Sequence, residues 1–321
     1  MADWSSATEL YSSFYAREAF DQYKMASPTL ASNYHTTTAG TRLHYLRTGS
    51  ISGPLLLCLH GLGGSTDTFT SLVPHLPQTY DIVLVDFPGF GKTPLNLSLG
   101  KVSIAGHVAD LGDLILALQG ASSATQSQEI VIVGHSLGAI VALHYAAAFP
   151  ENIGGMVLLG VGRAAGHIPA ARQRMLDLAA AVRTKGIGYA ADVAASSNFY
   201  NDGPERTADA SAREAVKLAV LASDPEGYIQ TCEAIVDEDH KDPKYEKIIA
   251  PVVLVVGDLD MISPIERSRD VSALLGGTSW VQVVTSGHQP ILEDLHGTQQ
   301  AVDKLLCSVR VCSAARAMKD P

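Results

Sequence analysis

Nowhere in the 321 residues does an apolar run approach the ~20 residues that a membrane-spanning helix needs, so a helical membrane protein is excluded. The chain also lacks any Lys/Arg tract. With 23 basic against 33 acidic residues its net charge is −10, which repels nucleic acid and anionic membranes, and neither is expected as a partner. Cysteine is scarce and scattered. Cys58, Cys232, Cys307 and Cys312 have no paired metal-ligand spacing, so they read as reduced thiols and no metal site is expected. The N-terminal stretch MADWSSATELYSSFYAREAF has no apolar core of a secretory signal, and the closing AMKDP matches no lipidation or retention motif. A cytoplasmic location is the expectation. There is no internal repeat and no low-complexity tract. What remains is an ordinary globular composition in a chain long enough to bury a large core.

The pattern along the chain is that of an α/β protein. After a polar lead with an amphipathic helix, expected as an extension over 1–33, two edge strands at Tyr34–Thr38 and Arg42–Arg47 flank Ala39-Gly40 as a hairpin. Buried strands are expected at Leu55–Leu59, Ile82–Val85 and Ile130–Val133, each a short apolar run, and further strands at Met156–Leu159, Val252–Val256 and Trp280–Val284. Helices fall between them, among them Ser103–Leu118, Pro264–Leu275 and a last one to about Leu306, and 119–128 is a polar loop. Residues 163–246 abandon the alternation. They read as helices broken at Gly186-Ile187-Gly188, Asp202-Gly203-Pro204 and Ser223-Asp224-Pro225, a helical cap (lid) inserted into a core of 34–162 and 247–321.

Chemistry concentrates where one strand meets one helix. Ile130–Val133 runs into Gly134-His135-Ser136-Leu137-Gly138, and helical periodicity follows to Phe149. A sharp turn of this kind leaves no room for side chains beside the serine, hence the two glycines, and lifts the Ser136 hydroxyl above the sheet as a nucleophile. The helix beneath aims amide hydrogens and its positive dipole end at a developing oxyanion, with the N–H of Leu137 as one donor. The glycine-rich loop His60-Gly61-Leu62-Gly63-Gly64-Ser65, directly after a buried strand, offers the N–H of Leu62 as the second; alternatively Thr66 or Asp67 simply caps a helix running to His75. Asp86, in Asp86-Phe87-Pro88-Gly89, reads as a turn-stabilising carboxylate.

A serine hydroxyl needs a base, normally a histidine oriented by a carboxylate, and on such a turn the order is serine, acid, histidine. Of the downstream histidines, His144 lies in a helix, His167 and His240 in the insertion and His296 on the last helix. Only His288 stands in a short loop after a late strand. The strand ending at Leu159 is followed by no carboxylate, so the acid comes from Gly257-Asp258-Leu259-Asp260: Asp260, deeper in the loop, is chosen, with Asp258 left to the turn.

Taken in order over about 34–306, HGLGGS, DFPGFG, GHSLG, GDLD and SGH resemble the α/β-hydrolase superfamily, and DPEGYIQTCEAIVDED with GMVLLG is similar to 3-oxoadipate enol-lactonase-type hydrolases. The resemblance implies an α/β-hydrolase fold, a mostly parallel sheet flanked by helices, no metal or organic cofactor, and a small-molecule ester or lactone substrate. The reading is a serine hydrolase with triad Ser136, Asp260 and His288, monomeric or homodimeric. Alternatives are a C–C bond hydrolase of a diketone and a triad-bearing ligand receptor with slow hydrolysis. A carboxylated substrate would call on Arg163, Arg172, Arg174 or Arg183.

Overall fold

The computed structural model describes residues 28–120 and 130–317, the side chains of 310–317 excepted. The expected N-terminal helix and most of the 119–128 loop lie outside the described residues. One sheet of eight strands carries the fold: β1 Ala31–Thr36, β2 Arg42–Gly49, β3 Leu55–Leu59, β4 Asp81–Val85, β5 Ile130–His135, β6 Ile153–Leu159, β7 Val252–Gly257 and β8 Ser279–Val284. Their order is β1-β2-β4-β3-β5-β6-β7-β8. The β1–β2 and β2–β4 pairs are antiparallel and every other pair is parallel. Two details correct the sequence reading. β1 begins at Ala31, inside the expected extension, and β2 is no edge strand, because Tyr45–Gly49 pairs with Asp81–Val85.

Side chains alternate across the sheet, as strand geometry demands. Leu57, Leu59, Ile130 and Ile132 enter one core layer while Leu56, Cys58, Val131 and Val133 enter the other. Each fully buried aliphatic side chain contributes about 1.5–3 kcal/mol, which is why these apolar runs settle in the middle of the sheet. Helices α1 Ile104–Gly120 and α2 Leu137–Ala148 cover one face. Ser103 starts α1, its hydroxyl accepting from the Gly106 N–H at 3.0 Å, and Leu111, Leu114, Ile115 and Leu118 face the core.

Between β6 and β7 come α3 Pro169–Lys185, α4 Ile187–Ser197, α5 Ala210–Leu221 and α6 Pro225–Ile235, broken at the expected glycine and Asp-Pro positions. Asp209 and Asp224 cap α5 and α6, accepting from Ser211 N at 2.7 Å and Gly227 N at 2.9 Å. The chain closes with α7 Ile265–Leu274, the single turn α8 Pro290–Glu293 and α9 Leu295–Ala317, longer than expected. A helix running to His75 is not present: two 3₁₀ turns, Thr66–Phe69 and Val73–His75, stand there, and Ser65 rather than Thr66 or Asp67 caps the first. Pro74 and Pro77 interrupt the amide series that a longer helix would need. Among the described residues no helix is long and apolar enough to cross a membrane.

Candidate active site

The site lies at the carboxyl ends of the central strands, beside the point where the order reverses between β3 and β5. Ser136 sits between β5 and α2 with φ 51 and ψ −106, and among the described residues it alone has positive φ without being glycine. Such a conformation costs about 1–3 kcal/mol and persists only where neighbours dictate it. Here they do. The Ser136 N–H donates to Leu159 O at 2.9 Å, and its carbonyl accepts from Ala139 N and Ile140 N, both at 3.1 Å. The flanking glycines answer to close backbone approach: a Cβ at Gly138 would fall 2.0 Å from Leu59 O, and one at Gly134 2.7 Å from Gly138 O.

The loop after β7 carries both candidate acids, and the structure separates them. Asp260 is buried and its Oδ2 lies 2.8 Å from His288 Nδ1. Its other oxygen accepts from Ile262 N at 2.8 Å and Ser263 N at 2.7 Å. Burial opposes ionisation of this carboxyl, but the His288 charge and hydrogen bond, with the two amides, outweigh it and hold its pKa below the usual value. With the carboxylate on Nδ1, the Nδ1–H tautomer is the one satisfied, leaving His288 Nε2 as the basic nitrogen. Asp258 faces away. Both its oxygens take Arg206 Nη1 at 2.8 Å and Oδ1 accepts from Ser286 N at 3.1 Å, the turn role expected of it plus an ion pair to the helical insertion.

His288 is clamped through its own backbone as well. Its N–H donates to Asn198 O at 2.7 Å, and its carbonyl accepts from His135 Nε2 at 2.8 Å. Its ring packs on Gly160, where a Cβ would come within 2.8 Å of Cε1. Ser136 and His288 thus flank the same Leu159-Gly160 backbone, and His135 ties the Ser136 turn to the His288 loop. The sequence reading passed over His135, although it stands inside the glycine-flanked motif. Burial, then the neighbouring His288, lowers its pKa to about 3, so it is neutral and serves as a hydrogen-bond donor.

On the far side of Ser136 lies the glycine-rich loop. Gly64 N–H donates to Gly61 O at 3.0 Å, and the N–H groups of Leu62 and Leu137 have no acceptor among the described residues. Asp86 holds this loop from below, accepting from Thr66 N at 2.6 Å, Lys92 N at 2.9 Å and His44 Nδ1 at 2.7 Å, as a turn-stabilising carboxylate does. Of the arginines considered for a substrate carboxylate, Arg163 is paired with Asp242, Arg172 with Glu238 and Arg183 with Glu233. Among the described residues no group of three or more His, Cys, Asp or Glu could hold a metal ion. Cys58 and Cys232 are buried free thiols and Cys307 an exposed one.

Comparison with known proteins places the fold. The profile of the alpha/beta hydrolase fold family matches residues 54–295. A serine hydrolase-like protein of Danio rerio is 35% identical over 111 residues, which is 35% of this chain and spans only 32% of that protein. Among solved structures, a thermophilic esterase from Thermogutta terrifontis superposes with a TM-score of 0.73 at 24% identity, covering 87% of this chain and 99% of that one. The enol-lactonase from Burkholderia xenovorans LB400 gives a TM-score of 0.73 at 20% identity, covering 86% of this chain and 100% of that one.

Proposed function

The chain belongs to the alpha/beta hydrolase fold family, and on that footing we propose that it is a serine-dependent hydrolase of carboxylic esters or lactones, working through an acyl-enzyme. The observation that carries this reading is a strained, glycine-flanked Ser136 after β5 and a buried Asp260–His288 couple 2.8 Å long after β7 and β8, both set against the Leu159-Gly160 backbone that ends the intervening β6. Ser136 is the nucleophile, His288 the base and Asp260 its orienting acid. As Ser136 Oγ attacks the carbonyl, its proton passes to His288 Nε2, and Asp260 stabilises the imidazolium. The amides of Leu62 and Leu137 hold the oxyanion, each such donor being worth about 2.7–4 kcal/mol in the transition state.

Collapse of the tetrahedral adduct breaks the carbon–oxygen bond to the alcohol, which takes the proton from His288. A water molecule then gives up a proton to the same nitrogen and opens the acyl-enzyme, releasing the acid and regenerating Ser136. Residues 163–246 act as a cap over the strand ends, and the Asn198 and Arg206 bonds key it to the His288 and Asp258 loops.

The test is turnover of p-nitrophenyl acetate, with fluorophosphonate labelling as a second readout. Ser136→Ala should lower turnover by at least about 10³-fold and remove the label while the thermal midpoint stays near that of the parent. Parental turnover by the alanine variant would overturn the assignment.

A further inference from the structure

The backbone of His288 is held by the helical insertion as well as by the sheet. Its N–H donates at 2.7 Å to the carbonyl of Asn198, the first residue after α4. Gly287, one position earlier, is pressed against the same segment: a Cβ there would fall 2.8 Å from Asn198 O, 3.0 Å from Phe199 Cα and 3.2 Å from Tyr200 N. Two consecutive residues of the His288 loop therefore rest on 198–200, and a displacement of that strap is passed to the ring.

One side chain shapes the strap. Arg213, in the first turn of α5, donates from Nη1 to Ala195 O at 2.9 Å and from Nη2 to Tyr200 O at 3.0 Å and Asp202 Oδ1 at 3.1 Å. Ala195 O belongs to the last turn of α4, where carbonyls have no partner within the helix and a cation is favoured. Its acceptors stand on both sides of residue 198, so the rigid fork of the guanidinium fixes the path that turns Asn198 O toward His288. A lysine could not, since a single ammonium does not reproduce that planar set of donors. The strap is also anchored by its own side chains. Phe199 and Tyr200 are buried, and the Arg213 guanidinium lies 5.1 Å from the centre of the Phe199 ring. A second ion pair, Lys217 with Asp192 at 2.7 Å, joins α5 to α4 as well, but it is exposed and lies outside 195–202.

We propose, resting on the serine-hydrolase reading, that Arg213 is a positioning residue for the reaction: by shaping 195–202 it sets the Asn198 carbonyl that holds His288, so that the base is in register with Ser136 only while the insertion is docked. The insertion is then part of the support of the base, and lifting it would disarm the site.

The test combines p-nitrophenyl acetate kinetics, the rate of fluorophosphonate labelling, and the downfield proton resonance of the His288 Nδ1–Asp260 hydrogen bond. Displacing a positioned group by about 1 Å can cost about 10²-fold in rate. Arg213→Ala should lower kcat at least about tenfold with KM within about threefold, slow labelling in parallel, and shift or broaden the resonance. Arg213→Lys should fall between that variant and the parent, and Lys217→Ala should keep parental kcat and an unmoved resonance. Gly287→Ala, whose added methyl pushes the strap away from the opposite side, should reproduce the Arg213→Ala pattern, and it answers the question if Arg213→Ala does not fold. A loss carried by KM, with labelling rate and resonance unchanged, would make Arg213 a residue of the substrate cavity and overturn the proposal, as would parental kcat in Arg213→Ala; both leave the hydrolase intact. If the parent itself neither hydrolysed esters nor took the label, the hydrolase reading would fail, and the resonance would still report whether Arg213 holds the ring.

Discussion

At the residue scale, two aspartates two positions apart have opposite environments. Asp260 is buried against His288 and two amides, whereas Asp258 is half in solvent and held by Arg206. In Asp260→Asn the amide oxygen stays on the Ile262 and Ser263 N–H groups and the NH2 turns to His288 Nδ1, favouring the wrong tautomer, so kcat should fall by about 10⁴-fold. Asp258→Asn should stay within a few-fold of the parent, since Ser286 N and Arg206 can still donate to the amide oxygen. Measuring kcat for both variants checks the assignment, and the reverse pattern would exchange their roles. The motif made Ser136 legible, and the loop position of His288 singled it out. The choice between two acids in one loop rested on depth, and the paired geometry supplies the physical ground. His135 and Asn198 were not legible, because one acts through a side-chain bond to a distant carbonyl and the other through its own backbone.

At the scale of elements, the nucleophile turn is a packing solution involving three segments. The start of α2 is pressed onto the end of β3, and Gly138 is the point of contact, with Leu59 O 2.0 Å from any added Cβ. Gly138→Ala must push α2 away from β3. The expected loss is at least about 3 kcal/mol in denaturant unfolding, the upper range for overpacking, and turnover should fall with it as the Leu137 amide shifts. A variant with parental stability would show that α2 can move freely. The central strands β3 to β7 were legible as apolar runs, because they are buried on both faces. The stretch after Ser65 was not. Its hydroxyl and apolar residues suit a helix, but Pro74 and Pro77 and the pull of Asp86 on Thr66 divide it into short turns. The breaks in the insertion were legible for a local reason, Gly186 after α3 and Asp-Pro at the start of α6.

For the whole molecule, buried neutral histidines link folding to pH. Burial, together with the nearby His60, brings His107 to a pKa of about 3, and His135 also lies at about 3. His144, against His240, lies at about 4, burial again the larger cause. In the unfolded chain each titrates near 6.5, so between that value and about 3–4 the unfolded state binds more protons and stability rises with pH. Acidification from pH 7 to 4.5 should therefore lower the denaturant midpoint, each fully buried histidine contributing at most about 1.4 kcal/mol per pH unit below 6.5. Asp260 acts in a separate window. Its lowered pKa contributes stability above about 3.9 that is lost as pH falls through its folded value. A midpoint unchanged between pH 7 and 4.5 would contradict the neutral, desolvated state of these rings.

By itself the sequence determined the strand runs, the order of the helices and the nucleophile turn, because each follows from neighbours only a few residues away: apolar continuity, Gly and Pro placement, helical spacing. Tertiary structure alone decided which aspartate meets His288, that β2 lies inside the sheet, that three of the four arginines are already paired, and that Val220 of α5 packs on Gly63 of the glycine loop. Those outcomes depend on distances between segments up to about 150 positions apart, as from His135 to His288, and packing sets such distances without leaving a local pattern in the chain.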